Sequence, residues 1–304
     1  MPATDTNTTA PHTDAANTNG STIASTFTFP DGRTISRVGY GAMRLTGQPR
    51  NFGPYEDWEG GIALLRRAVE LGIDHFDTAR AYGPHDNERL VAEALAPYAT
   101  QVFVASKGGV EKDETSITRD GSPETLTRHV DESRRDLAPL IGDRPIDLYY
   151  LHQPDRTVPI AESVKALEEA RQAGKIARIG VSNVTLAQLK EAMSVAPISA
   201  VQNRYSPADE RDEAMEELID FTAEHDIAFV PHGPLGANPM KRGAATEPGE
   251  ALRTLLARSP NILVIPGTTT IAHLEENAGA LPTGDLAARS VEHVDDDRWM
   301  NAEG

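Results

Sequence analysis

Four side chains of the kinds that hold and move protons fall at or just beyond the ends of three apolar runs. In Gly72-Ile73-Asp74-His75-Phe76-Asp77-Thr78-Ala79-Arg80-Ala81-Tyr82-Gly83, Ile73 to Phe76 read as a short buried strand that breaks into a glycine-closed turn. Asp77 then stands at the strand's C-terminal end and Tyr82 on the loop after it. Val102-Phe103-Val104-Ala105-Ser106-Lys107 and Asp147-Leu148-Tyr149-Tyr150-Leu151-His152 end in a lysine and a histidine. Ligands of parallel α/β proteins bind beyond the carboxyl ends of the strands, so a carboxylate, a phenol, an ammonium and an imidazole would meet where acid–base chemistry is done. Singly, each has an ordinary reading: Tyr82 as packing, Lys107 as a solvated charge, His152 as a partner for loop backbone, Asp77 as a cap ahead of Thr78. All four on successive strand ends favour the chemical reading.

The elements that must position them alternate. Thr26-Phe27-Thr28-Phe29 and Thr34-Ile35-Ser36 flank the turn tripeptide Pro30-Asp31-Gly32, which predicts a β-hairpin. Strand-like runs follow near Val38–Gly41, Ile73–Asp77, Val102–Lys107, Leu148–His152, Ala177–Val181, Ile198–Gln202, Ala228–Pro231 and Ile262–Ile265. Helical patterns separate them: Ile62, Leu65 and Val69 share a face before Gly72, and Ile160, Val164 and Leu167 do so before Gly174. Eight strands alternating with helices over about 235 residues match a (β/α)₈ TIM barrel. The rival, a doubly wound sheet, would show a glycine-rich phosphate fingerprint after the first strand. Gly39-Tyr40-Gly41-Ala42-Met43-Arg44 lacks its third glycine and its helix. The expected organisation is a disordered tail over 1–25 and one barrel domain over 26–304. Within it, 236–249 reads as a Pro/Gly/Ala-rich loop and 281–304 as weakly patterned, ending in an acidic tail.

Composition narrows the function. The 304 residues contain no cysteine, which excludes a disulfide framework and thiolate metal sites. No His-x-His or carboxylate cluster falls at a strand end, so no metal site is expected. The N-terminus has neither the basic nor the apolar region of a secretory signal, and no apolar run approaches membrane-spanning length. The expected location is the cytoplasm. A net charge of -17 argues against nucleic acid or an anionic membrane as partner. Six lysines stand against 23 arginines; an acidic, lysine-poor surface suits a halophilic protein, and a GC-rich genome with an ordinary acidic surface is the alternative.

On these residues the chain resembles the aldo-keto reductases, NAD(P)-dependent oxidoreductases built on a (β/α)₈ barrel. The resemblance runs from about Arg37 to Asn277. It rests on GxDxxDTAxxYG as Gly72–Gly83, strands ending in Lys107 and His152, Gly180-Val181-Ser182-Asn183, Val201-Gln202-Asn203, Pro234-Leu235-Gly236, and Ile265-Pro266-Gly267 leading to Glu276-Asn277. Gly39–Gly41 with Met43–Gly47, Ala81–His85 and Ser259–Thr268 look most like the bacterial subgroup that includes pyridoxal reductases.

The resemblance implies that Tyr82 is the general acid, that Lys107 lowers the phenol's pKa, that Asp77 keeps Lys107 charged and oriented, and that His152 places the substrate oxygen. It further implies that Ser182, Asn183 and Gln202 grip the nicotinamide carboxamide, which needs a donor and an acceptor. The other implied cofactor contacts are Ala42, Met43, Asp77, His232, Pro234, Leu235, Gly236, Gly267, Thr268, Thr269, Thr270, His273, Glu276 and Asn277. The chain departs from the family in three places. His232 stands where an aromatic ring often stacks on the nicotinamide. Thr268–Thr270 and His273 stand where cations often bind the 2′-phosphate of NADP, so NADP is the expected cofactor with NAD possible. The stretch between Gly236 and the helix at Ala251–Pro260 is short, as if a helix were trimmed. The expected protein reduces an aldehyde or ketone as a monomer or weak oligomer. A non-turnover NADP(H)-binding regulatory or redox-sensing subunit is the alternative.

Overall fold

The computed structural model describes residues 24–207, 209–233 and 248–280. The expected tail up to residue 23, Pro234, Leu235 and Gly236, most of the predicted loop over 236–249, the segment of the expected trimmed helix and the C-terminal stretch 281–304 lie outside the described residues. Arg37 donates from its backbone N–H to Ser25 O at 2.9 Å and from Nη1 to Ala24 O at 3.1 Å, so both of these residues are tied to the body of the protein.

Strands β1 (Thr26–Thr28) and β2 (Thr34–Ser36) pair antiparallel, Phe27 opposite Ile35, across a turn in which Gly32 takes a φ of 89°. Seven strands follow in one parallel sheet: β3 (Tyr40–Gly41), β4 (His75–Asp77), β5 (Phe103–Gly108), β8 (Leu148–Leu151), β9 (Ile179–Ser182), β10 (Ile198–Gln202) and β11 (Ala228–Phe229). They lie in sequence order across the sheet, with no reversal and hence no switch point of the doubly wound kind. The sheet curls until both edges meet one segment. Phe229 bridges Ile262 and Val38 bridges Val264, while Leu263 N–H donates to Phe229 O at 2.9 Å and Gly39 N–H to Val264 O at 2.8 Å.

Alternation along each strand divides the core in two. Phe103, Ala105, Leu148, Tyr150, Ala200 and Ala228 form one cluster with Phe29 and Ile35 of the N-terminal pair. Phe76, Val104, Tyr149, Leu151, Val181 and Val201 belong to the other, which the helices cover. Those helices are α1 (Trp58–Glu70), α2 (Asp86–Leu95), α3 (Pro123–Asp136), α4 (Ala138–Ile141), α5 (Ile160–Gln172), α6 (Leu186–Met193), α7 (Glu213–Glu224), α8 (Pro248–Arg258) and α9 (Ile271–Ala278). Helix α1 buries Ile62, Leu65 and Val69 and stops before Gly72, whose φ is 86°. At α6, Thr185 and Gln188 cap each other's backbone reciprocally.

One element pair departs from the sequence expectation. After β5, β6 (Val110–Lys112) and β7 (Ile117–Arg119) pair antiparallel. Asp113 Oδ1 closes their turn by accepting from Thr115 N–H and Ser116 N–H at 2.7 Å each. These strands are three residues long and β7 is exposed on both faces, so no hydrophobic alternation marks them.

Candidate active site

Register brings the predicted residues to one end of the sheet. Gly41 aligns with Asp77 and Asp77 with Ala105; Lys107, two residues further along β5, aligns with Tyr150, and Gln202 with Ser182. Lys107 is fully buried and Asp77 nearly so. The Lys107 ammonium donates to Asp77 Oδ1, to Thr78 O at 2.8 Å and to the Tyr82 hydroxyl at 3.4 Å. The other Asp77 oxygen accepts from Gln202 Nε2 at 2.8 Å. Below the ammonium lies the Tyr150 ring, 5.8 Å from Nζ to its centroid. A side chain at position 180 would collide with that ring, since a Cβ there would sit 2.3 Å from Tyr150 Cδ1. Gly180 therefore makes room for the floor on which Lys107 rests.

The loop that carries Tyr82 is held at several points. Arg80 N–H donates to Lys107 O at 3.2 Å, and the Arg80 guanidinium binds Glu132 at 2.6 Å and Glu111 at 3.1 Å. Thr78 Oγ1 donates to Asn87 Oδ1 at 2.6 Å, and Asn87 Nδ2 donates to the Ala42 and Leu45 carbonyls. The Tyr82 and His152 rings meet edge-on with centroids 5.9 Å apart. His152 Nδ1 is buried without a partner, which leaves Nε2 as the nitrogen that can serve the cleft.

Burial competes with charge at each of these groups. Burial alone would lower the Lys107 pKa, but Asp77 and Tyr82 beside it hold the ammonium above its ordinary value. Burial pushes the Tyr82 phenol up, and although Lys107 pulls against it the net direction is upward. Lys107 lowers the phenol's pKa in the expected direction, and burial, which the sequence did not reveal, outweighs it. Burial, then Lys107 and His232, lower His152 to about 3, so its imidazole is neutral at any working pH.

Asp77, Tyr82, His152, Ser182, Asn183, Gln202, His232, Met43 and Gly267 line one cleft of about 440 Å³. Lys107 sits beneath Tyr82, off the lining. Arg44, Gln153, Gly41, Gly233, Ile265 and Pro266 line it too; they are not among the residues expected from the sequence, although Ile265 and Pro266 belong to the Ile265-Pro266-Gly267 motif. Several predicted cofactor contacts are already engaged within the protein. Ser182 Oγ donates to Gln202 O at 2.6 Å. Ala42 is fully buried. Thr268 O accepts from Tyr40 OH at 2.5 Å, and Thr268 Oγ1 accepts from Thr270 N–H at 3.2 Å. Thr269, Thr270 and His273 are exposed around the N-terminus of α9, with Glu276 exposed and Asn277 buried further along it. None of these α9 residues lines the cleft. Among the described residues, one group has metal-ligand types, His85, Glu88 and Asp136. It stands around the start of α2, where His85 Nδ1 and Asp136 Oδ2 are 2.5 Å apart and Arg89 binds the other Asp136 oxygen.

The curled parallel sheet carries a Lys–Asp pair, a phenol and an imidazole at its carboxyl edge, and sequence comparison gives the class of protein. A model of the aldo/keto reductase family matches residues 37–250, and the chain belongs to that family. Pyridoxine 4-dehydrogenase of Escherichia coli (strain K12) is 39% identical over 274 residues, 84% of this chain and 93% of that protein, which agrees with the bacterial subgroup expected from the motifs. Among solved structures, the holo form of an aldo-keto reductase from Bacillus halodurans superposes with a TM-score of 0.69 at 25% identity, covering 84% of this chain and 90% of that one. The fold is also that of an aldo/keto reductase from Klebsiella pneumoniae in complex with NADP and acetate, with a TM-score of 0.68 at 22% identity over 88% and 94% of the two chains.

Proposed function

We propose that this protein reduces an aldehyde or ketone to an alcohol with NADPH or NADH, Tyr82 acting as general acid. The observation that carries the reading is the buried chain from Gln202 through Asp77 and Lys107 to the Tyr82 hydroxyl, opening onto a cleft lined by His152. The lining suits a nicotinamide: Asn183 Oδ1 and Gln202 Oε1 can each accept from a carboxamide N–H. When bound, the nicotinamide supplies the hydride.

The protein's part is proton delivery and orientation. Neutral His152 donates from Nε2 to the substrate oxygen and holds it beside the Tyr82 hydroxyl. Tyr82 passes its proton to that oxygen as negative charge develops there. The Lys107 ammonium stabilises the phenolate left behind, and Asp77 keeps Lys107 protonated. We read residues 262–264 as the eighth strand of a closed (β/α)₈ barrel that forms one domain. Among the described residues no helix is long and apolar enough to cross a membrane. The proposed enzyme acts in the cytoplasm on small molecules, as a monomer or weak oligomer.

The relative named pyridoxine 4-dehydrogenase makes pyridoxal the first substrate to try. Purified protein should consume NADPH or NADH, followed at 340 nm, with at least one member of an aldehyde and ketone panel that includes pyridoxal. Cofactor binding without consumption across the panel would instead favour the non-turnover regulatory subunit.

A further inference from the structure

His232 occupies the place where an aromatic ring was expected to stack, yet its edge is already committed. Its Nε2 lies 2.9 Å from Asn183 Oδ1. The assignment of that amide is not arbitrary. On its other side, Asn183 Nδ2 lies 3.2 Å from the His152 carbonyl, and a carbonyl only accepts, so Nδ2 belongs there and Oδ1 faces His232. The imidazole must therefore donate, which selects the tautomer protonated on Nε2. Burial, with Lys107 and Arg204 nearby, lowers the His232 pKa to about 4, in keeping with a neutral ring. Both ends of the bond are anchored by backbone. His232 N–H donates to Asn203 O at 2.9 Å and Asn183 N–H to Gln202 O at 3.1 Å. The result is one hydrogen-bonded line across the cleft, from His152 through Asn183 to His232.

We propose that His232 is a positioning residue, whose Nε2–H holds the Asn183 amide in the rotation that gives its two N–H bonds to the His152 carbonyl and Ser182 Oγ and leaves the second Oδ1 lone pair to accept from the carboxamide of a bound nicotinamide. This rests on the NAD(P)H reading above and adds a role that a phenyl ring could not fill, because phenyl has area but no donor. Ring stacking and edge donation make different demands, and His232→Phe separates them. It keeps an aromatic face and deletes the donor. Asn183 has a φ of 59°, a conformation glycine adopts without strain, so Asn183→Gly removes the amide without forcing the backbone.

The test is a double-mutant cycle read by fluorescence titration with NADPH and, separately, NADH. His232→Phe should weaken both cofactors by about threefold to tenfold, the range of one neutral hydrogen bond. In the Asn183→Gly background the same substitution should cost less than about twofold, since the bond's partner is gone. Unchanged binding by His232→Phe overturns the proposal. An equal loss with and without Asn183 overturns it as well, because the ring would then act independently of that amide. If His232→Phe melts early, His232→Ala deletes the same donor and its coupling to Asn183→Gly is read in the same way. Wild-type protein that binds neither cofactor would end the functional reading and this proposal together. Wild-type binding with an uncoupled His232 ends the proposal alone.

Discussion

At the scale of single residues, the candidate site balances burial against charge. Tyr82 is a phenol that its surroundings make harder to ionise, tempered by one ammonium. Tyr82→Phe should therefore lower carbonyl reduction by about 10²–10⁴-fold, the usual worth of a positioned acid, while cofactor titration stays within a few fold of wild type. Activity within tenfold of wild type would remove Tyr82 from the mechanism. Lys107→Met deletes the only influence of these that pulls the phenol down by charge, so the residual kcat should be small and its basic limb should move to higher pH. The substitution also strands Asp77 with Gln202 as its remaining partner, and breaking a buried pair costs about 3–5 kcal/mol, so a lowered melting temperature should accompany it. An unchanged pH profile would make Lys107 a bystander. His152, neutral down to about pH 3, should add no acid limb of its own between pH 4 and 8.

At the scale of elements, the loop from Asp77 to α2 is tied down by polar groups on the outer side of the sheet. Glu88 on α2 is fully buried and takes a 2.5 Å hydrogen bond from Ser106 Oγ, the neighbour of Lys107 on β5. Burial pushes its carboxyl from 4.5 up to about 7. Between those values the folded protein holds a proton that the unfolded chain has released. Stability therefore falls as pH rises through this window and levels off above about 7. The loss amounts to about 3 kcal/mol at most. Glu88→Gln can still accept from Ser106 and cannot ionise, so its melting temperature should gain on wild type from pH 5 to pH 8. A difference that is constant across that range would show that Glu88 is not the titrating group.

At the scale of the whole molecule, the net charge of -17 imposes self-repulsion that salt relieves. The Debye length shrinks from about 10 Å at 0.1 M to about 3 Å at 1 M. Potassium chloride raised from 0.1 to 2 M should therefore raise the melting temperature, as measured by scanning calorimetry. A flat or falling curve would mean that surface ion pairs such as Arg67–Glu275 and Arg258–Asp220 matter more than the overall repulsion.

The order of elements was legible in the chain because it rests on local causes. Apolar runs mark strands, a 3.6-residue period marks helices, and Gly72 and Gly174 mark where two of those helices stop. The meeting of Asp77, Tyr82, Lys107 and His152 was legible for the same reason, since in-register parallel strands carry their carboxyl ends to one edge. What depends on distant groups was not. Asp77 is held by Gln202, 125 positions away, and no spacing rule announces that bond. The upward push on Tyr82 comes from burial by the assembled protein. The commitment of Ser182 and Thr268 to internal bonds, the place of Arg44 and Gln153 on the cleft wall, and the edge of His232 turned to Asn183 likewise follow from packing between separate elements. The sequence by itself determined which groups could do chemistry and where each strand ends. Only the tertiary structure decided what those groups touch and how strongly each holds its proton, because burial and charge at one site are sums over the whole fold.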